Sequence, residues 1–111
     1  MEYLNKVEIL GTIGRLETSQ VGNTEVANIS VCTVSVYNGQ SGLPVCENTW
    51  HNVTAWKGPG ICDFSQLVKG GAIHVIGRLR YRTYTTQDGE KRSTTEILAS
   101  EVSVPMTDDL P

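Results

Sequence analysis

A chain of 111 residues holds one domain, long enough to bury a core without disulfides or a structural metal. Thirty-one residues are Val, Thr or Ile against four Ala, so strands are favoured over helices. A formal net charge of −3 argues by itself against a polyanionic partner, but five of the nine basic residues (Arg78, Arg80, Arg82, Lys91, Arg92) sit within residues 78–92, so position outweighs the total.

In chain order, Val7, Ile9, Gly11 and Ile13 alternate with polar residues and predict a first strand that Gly14 ends. Val21-Gly22-Asn23 is a turn. A long second strand follows, over about residues 24–37. Its apolar set changes phase from Ala27, Ile29 and Val31 to Val34 and Val36, which predicts a bulge near Val31–Thr33. Asn38 to Gly42 form a flexible loop, and a third strand runs from about Cys46 to Trp56. After Gly58-Pro59-Gly60, the spacing of Ile61, Phe64, Leu67 and Val68 predicts one short helix stopped by Gly70-Gly71. Two more strands, about 72–86 and 91–104, turn at Gln87-Asp88-Gly89. The expected architecture is all-β: a five-stranded OB-fold barrel with one short helix between strands 3 and 4. Residues 1–104 form that domain, and residues 105–111 form a short acidic tail.

The third strand carries the most informative window. Trp50, Asn52, Thr54 and Trp56 share one face, while Val53 and Ala55 mark the core face with His51. Two indoles on a polar face suggest a stacking platform. On the fourth strand Arg78, Arg80, Arg82 and Tyr84 form one row. Three like charges in line repel one another, and a polyanion relieves that repulsion. Tyr37 stands on the polar phase of the second strand beside Thr33 and Ser35, and it too can stack. Tyr81 falls on the core phase and Phe64 on the buried side of the helix, so both are left out of the site. Lys6 and Lys57 are weaker phosphate contacts. Aromatic rings that take bases, with cations that track phosphates, point to single-stranded nucleic acid read without regard to sequence.

Other classes fare worse. His51 and His74 stand on different strands with no nucleophile motif or paired carboxylate, so an enzyme is not expected, and no cofactor is implied. Cys32, Cys46 and Cys62 form no CxxC pair and no ligand cluster, so neither a metal site nor a disulfide framework is expected. Reduced thiols of a cytoplasmic protein fit them best. No apolar run is long enough to cross a membrane, and the first residues do not read as a signal peptide.

At these residues the chain resembles the bacterial single-stranded DNA-binding protein family. The likeness is carried by Asn5-Lys6-Val7, Leu10-Gly11, Val26-Ala27-Asn28-Ile29-Ser30-Val31 and Thr49-Trp50-His51-Asn52-Val53. It continues through Gly77-Arg78-Leu79-Arg80, Tyr84 and Asp88-Gly89. The resemblance implies an OB-fold that assembles as a homotetramer, with a homodimer as the fallback, and wraps single-stranded DNA in replication, recombination and repair. It implies DNA-stacking roles for Tyr37, Trp50, Trp56 and Tyr84, and a subunit-interface position for His51. Tyr stands at 37 and 84 where the family pattern has Trp. Asp108-Asp109-Leu110-Pro111 is similar to the family's acidic partner-recruiting tip, set here without the usual linker or final Phe. Replication and repair proteins are the partners such a tip implies. The competing readings are a primosomal accessory protein of the same fold and a protein-binding OB module anchored by Trp50 and Trp56.

Overall fold

The computed structural model describes residues 1–105, so the acidic tip at Asp108 to Pro111 lies outside the described residues. Five strands form a closed barrel in the order β1-β2-β3-β5-β4. They are β1 (Val7–Val21), β2 (Thr24–Asn38), β3 (Pro44–Trp56), β4 (Ala72–Thr85) and β5 (Lys91–Ser103). All neighbours run antiparallel except β3 and β5, which close the barrel through a short parallel contact, Val53 opposite Ile97 and Thr54 opposite Leu98. This is the five-stranded OB-fold barrel expected from the order of elements.

The core is filled by the inward residues of every strand. Ile13, Ala27, Ile29, Val31, Val53, Ala55, Ile73, Val75, Ile97 and Val102 are buried together, and Phe64 and Leu67 join them. Nearly all are β-branched or small, as the tight interior of a small barrel requires.

Three local expectations are corrected. Gly14 does not end the first strand. β1 runs on to Val21, and its register against β2 shifts between Ile13 and Arg15. Val7–Thr12 pairs with β4 and Thr12–Val21 with β2, so β1 serves two neighbours by turning a corner, and the irregularity at Gly14 stands at that corner. The bulge expected near Val31–Thr33 is absent, since β2 pairs with β3 in unbroken register from Val26–Trp56 to Asn38–Pro44. The apolar phase changes there because the β2–β3 ribbon leaves the barrel, and Val34 and Val36 stand exposed on its outward face. The helix contracts to one 3-10 turn, Phe64–Gln66, capped by the Asp63 carboxylate accepting from the Ser65 N–H at 2.9 Å. Glycine still limits it as expected: Gly70 has a φ of +86°.

A second irregularity, between Ile76 and Gly77, interrupts the β4–β5 register. Beyond the barrel-closing stretch of β5 at Ile97 and Leu98, the two strands continue as an arm that carries Arg82 and Tyr84 past the barrel. Its turn is closed by the Gly89 N–H donating to the Thr86 carbonyl at 3.0 Å, with Gly89 at a φ of +83°. Two ribbons, β2–β3 and β4–β5, therefore extend beyond the barrel.

Candidate nucleic-acid interface

One wall of the barrel is the outward face of β3 and its pairing partners. Trp56 lies opposite Val26, Thr54 opposite Asn28, Asn52 opposite Ser30 and Trp50 opposite Cys32. Trp50 is 61% exposed and Trp56 42% exposed. Alternation explains why: Val53 and Ala55 fill the core, so the even-numbered residues must face out. The Trp50 indole leans across β2 and rests on the Gly14 backbone of β1. One side of the ring is thus seated and the rest is open.

Two connected hollows follow this wall. The larger, of about 660 Å³, is lined by Val26, Trp56, Arg80, Tyr81, Arg82 and Thr83 among others. The smaller, of about 280 Å³, lies further along and is lined by Arg15, Ser30, Asn52, Arg82, Thr94 and Glu96 among others. Asn28, Thr54 and Arg82 border both, so the hollows form one groove with an aromatic end and a polar end.

The arginine row is split by the fold. Arg78 and Arg82 are exposed and make no ion pair among the described residues. Arg80 between them is engaged: its Nε and Nη2 both donate to Glu96 Oε1, at 2.9 and 2.5 Å. The Thr54 hydroxyl donates to the other oxygen, Oε2, at 2.8 Å. Glu96 and Thr54 are each only 6% exposed. Burial pushes the Glu96 carboxyl up, but the hydrogen bonds from Arg80 and Thr54 and the charges of Arg80 and Arg82 outweigh it and hold the group below the ordinary glutamate range.

The other candidates scatter. Tyr84, opposite Arg92, continues the arginine row at the end of the arm and is exposed. Tyr37, opposite Val45, is exposed near the tip of the other ribbon. By register it stands on the pleat face of Ile29 and Val31, opposite to that of Trp50 and Trp56, so the four rings do not share one face of their strands. Lys6 and Arg78 border a separate hollow with Asn5, whose side chain pairs with the Leu79 N–H and carbonyl at 2.9 Å each. Lys57 borders another, beside Glu25 and Asp63. His51 is half-buried, and its Nε2 lies 2.9 Å from the Thr33 hydroxyl.

Two assignments from the sequence change. Tyr81 shares the pleat face of the core residues but is 76% exposed, because that part of β4 has left the barrel. It borders the groove that the sequence reading denied it. Thr54 faces outward with the indoles, yet the Arg80–Glu96 pair buries it. Sequence reasoning missed Arg15, Asn28 and Glu96. Arg15 is paired with Glu17 at the groove edge, and no motif marked it. A polar Glu96 in line with Thr94 on the outward phase was the one available hint. No group of three or more His, Cys, Asp or Glu among the described residues is placed to hold a metal ion. Among the described residues, no helix is long and apolar enough to cross a membrane.

The chain is similar in sequence and fold to known proteins. A family model described as "Single-strand binding protein family" matches residues 4–105. The chain is 35% identical over 103 residues to a single-stranded DNA-binding protein of Neisseria meningitidis, an alignment that covers 91% of this chain and 59% of that protein. A Xylella fastidiosa protein named single-stranded DNA-binding protein 1 is 33% identical, with 94% and 79% covered. A mitochondrial single-stranded DNA-binding protein of Danio rerio is 30% identical, with 89% and 74% covered. Among solved structures, a Plasmodium falciparum SSB in complex with ssDNA superposes with a TM-score of 0.80 at 20% identity, covering 96% of this chain and 98% of that one. A deletion mutant of the Thermus aquaticus single-stranded DNA binding protein gives 0.75 at 24%, covering 94% and 51%.

Proposed function

The chain belongs to the single-strand binding protein family, and from that premise we propose that it binds single-stranded DNA without regard to sequence. Its task is to protect exposed strands during replication, recombination and repair. One observation carries the reading: Trp56, an exposed indole, and Arg82, a cation with no ion pair among the described residues, border the same groove. Every base has a π-face, so stacking on such a ring is sequence-tolerant, worth roughly 1–3 kcal/mol per base, while an arginine beside it neutralises the phosphate.

In this reading Trp50 and Trp56 take bases on the wall, and Tyr84 and Tyr37 take bases from the two arms. Arg78, Arg82, Lys6 and Lys57 meet phosphates. Lys6 and Arg78 share a hollow apart from the groove, which suits a strand that continues over β4 rather than ending at the barrel wall. Residues 1–104 act as the binding domain, and Asp108 to Pro111 as a site for replication and repair proteins. The chain works as a homotetramer, with His51 near a subunit contact, in the cytoplasm at the nucleoid. It performs no chemistry on the strand.

Titration of tryptophan fluorescence with poly-dT at low and high salt tests this. Strong quenching that weakens steeply with salt supports it. Absence of quenching at low salt overturns it. Quenching by a protein partner but not by poly-dT favours a protein-binding module instead.

A further inference from the structure

Arg80, Glu96 and Thr54 come from three strands. Arg80 and Glu96 are cross-strand partners on β4 and β5, and Thr54 lies on β3 where β3 and β5 meet in parallel. That parallel contact spans two residue pairs, the shortest junction in the barrel. Both carboxylate oxygens of Glu96 are engaged, one by the guanidinium and the other by the hydroxyl. The cluster therefore ties β4 to β5 and β5 to β3 at the root of the arm.

We propose that Arg80 is a positioning residue and not a phosphate contact. With Glu96 and Thr54 it forms a brace that sets the β4–β5 arm, and so Arg82 and Tyr84, relative to Trp56 on β3. The inference rests on the DNA-binding reading of the same groove. Its argument is electrostatic and geometric. A phosphate arriving at Arg80 meets a guanidinium whose charge is already cancelled by a carboxylate at 2.5–2.9 Å, so the pair has no net charge to offer and no counterion to release. Arg82, two residues on and unpaired among the described residues, carries the full charge. The side chains of Glu96 and Arg80 are 7% and 40% exposed, so the carboxylate lies beneath the guanidinium and water does little to loosen it. The row of three arginines thus divides into two binding cations and one brace.

The test is the salt dependence of poly-dT binding, with folding of each variant followed by thermal melting. Removing Arg80 alone strands a buried carboxylate, so the charge-neutral pair R80M/E96L is compared with R82M. R82M lowers the log–log slope by about 0.7, one phosphate contact. R80M/E96L leaves the slope unchanged. T54V, which alters no charge, weakens binding several-fold by the same factor at every salt. In a W50F background, where Trp56 is the sole tryptophan, T54V also shifts the emission of the free protein. A slope that falls for R80M/E96L as it does for R82M overturns the proposal. So does a T54V variant with unchanged affinity and emission. Failure of the unaltered protein to bind poly-dT strikes the DNA-binding reading itself.

Discussion

Gly14 and Trp50, on strands separated by β2, are in direct contact: a Cβ built on Gly14 stands 2.3 Å from Cζ3 of the indole and 2.6 Å from Cη2. The glycine at the corner of β1 is the seat of the ring. Gly14 is not among the positive-φ glycines, so space and not backbone conformation reserves the position.

G14A therefore displaces an exposed ring and not the backbone. The expected outcome is a folded protein with altered Trp50 emission and weaker poly-dT binding. G77A is the contrast. A Cβ there lies 2.3 Å from the Leu98 carbonyl oxygen and 3.0 Å from the Ala99 Cα, and backbone has nowhere to swing. G77A loses about 3 kcal/mol of stability, the upper end for an overpacked site, as read by urea denaturation.

W50A and W56A each weaken poly-dT binding by about 1–3 kcal/mol while the melting temperature stays close to that of the parent. Neither ring belongs to the buried core cluster, so little core is lost. A large drop in melting temperature for either would assign that ring to packing.

Glu96 links stability to acidity. Its folded-state pKa lies below the ordinary value, so its stabilisation is present above the unfolded-state pKa and is lost as pH falls through the folded one. Denaturant midpoints of the parent fall between neutral and acid pH. In E96Q that fall is shallower, because the glutamine has no proton to gain, and its midpoint at neutral pH is lower from the start.

The tail is tested by deleting residues 106–111. An anionic segment that reaches a cationic groove would compete with DNA where screening is weak. The deletion raises poly-dT affinity at low salt and leaves it unchanged at high salt. No change at either salt leaves partner recruitment as the tail's only proposed role.

Assembly is read by light scattering at micromolar concentration, where a homotetramer is expected. A monomer there removes the subunit-interface role proposed for His51 and leaves its contact with Thr33 as an internal one.

Local sequence determined what local physics controls. Alternation assigned Val53 and Ala55 inward and the two indoles outward, because the pleat enforces a period of two wherever one face is buried. Gly22, at a φ of +59°, and Gly89 marked their turns because those positions demand a left-handed backbone. The order of strands followed. The tertiary structure decided the rest. Alternation says which face a residue takes but not where a strand leaves the barrel, so Tyr81 and Val34 were misread from a pattern that holds only inside it. The corner at Gly14 depends on which neighbours β1 pairs with at each end, and those partners lie far along the chain. Thr54 read as part of an exposed polar face, and nothing singled out Glu96. Only the closure of β3 against β5, with β4 alongside, brings a hydroxyl and a guanidinium 42 and 16 residues away onto one carboxylate and makes its burial affordable.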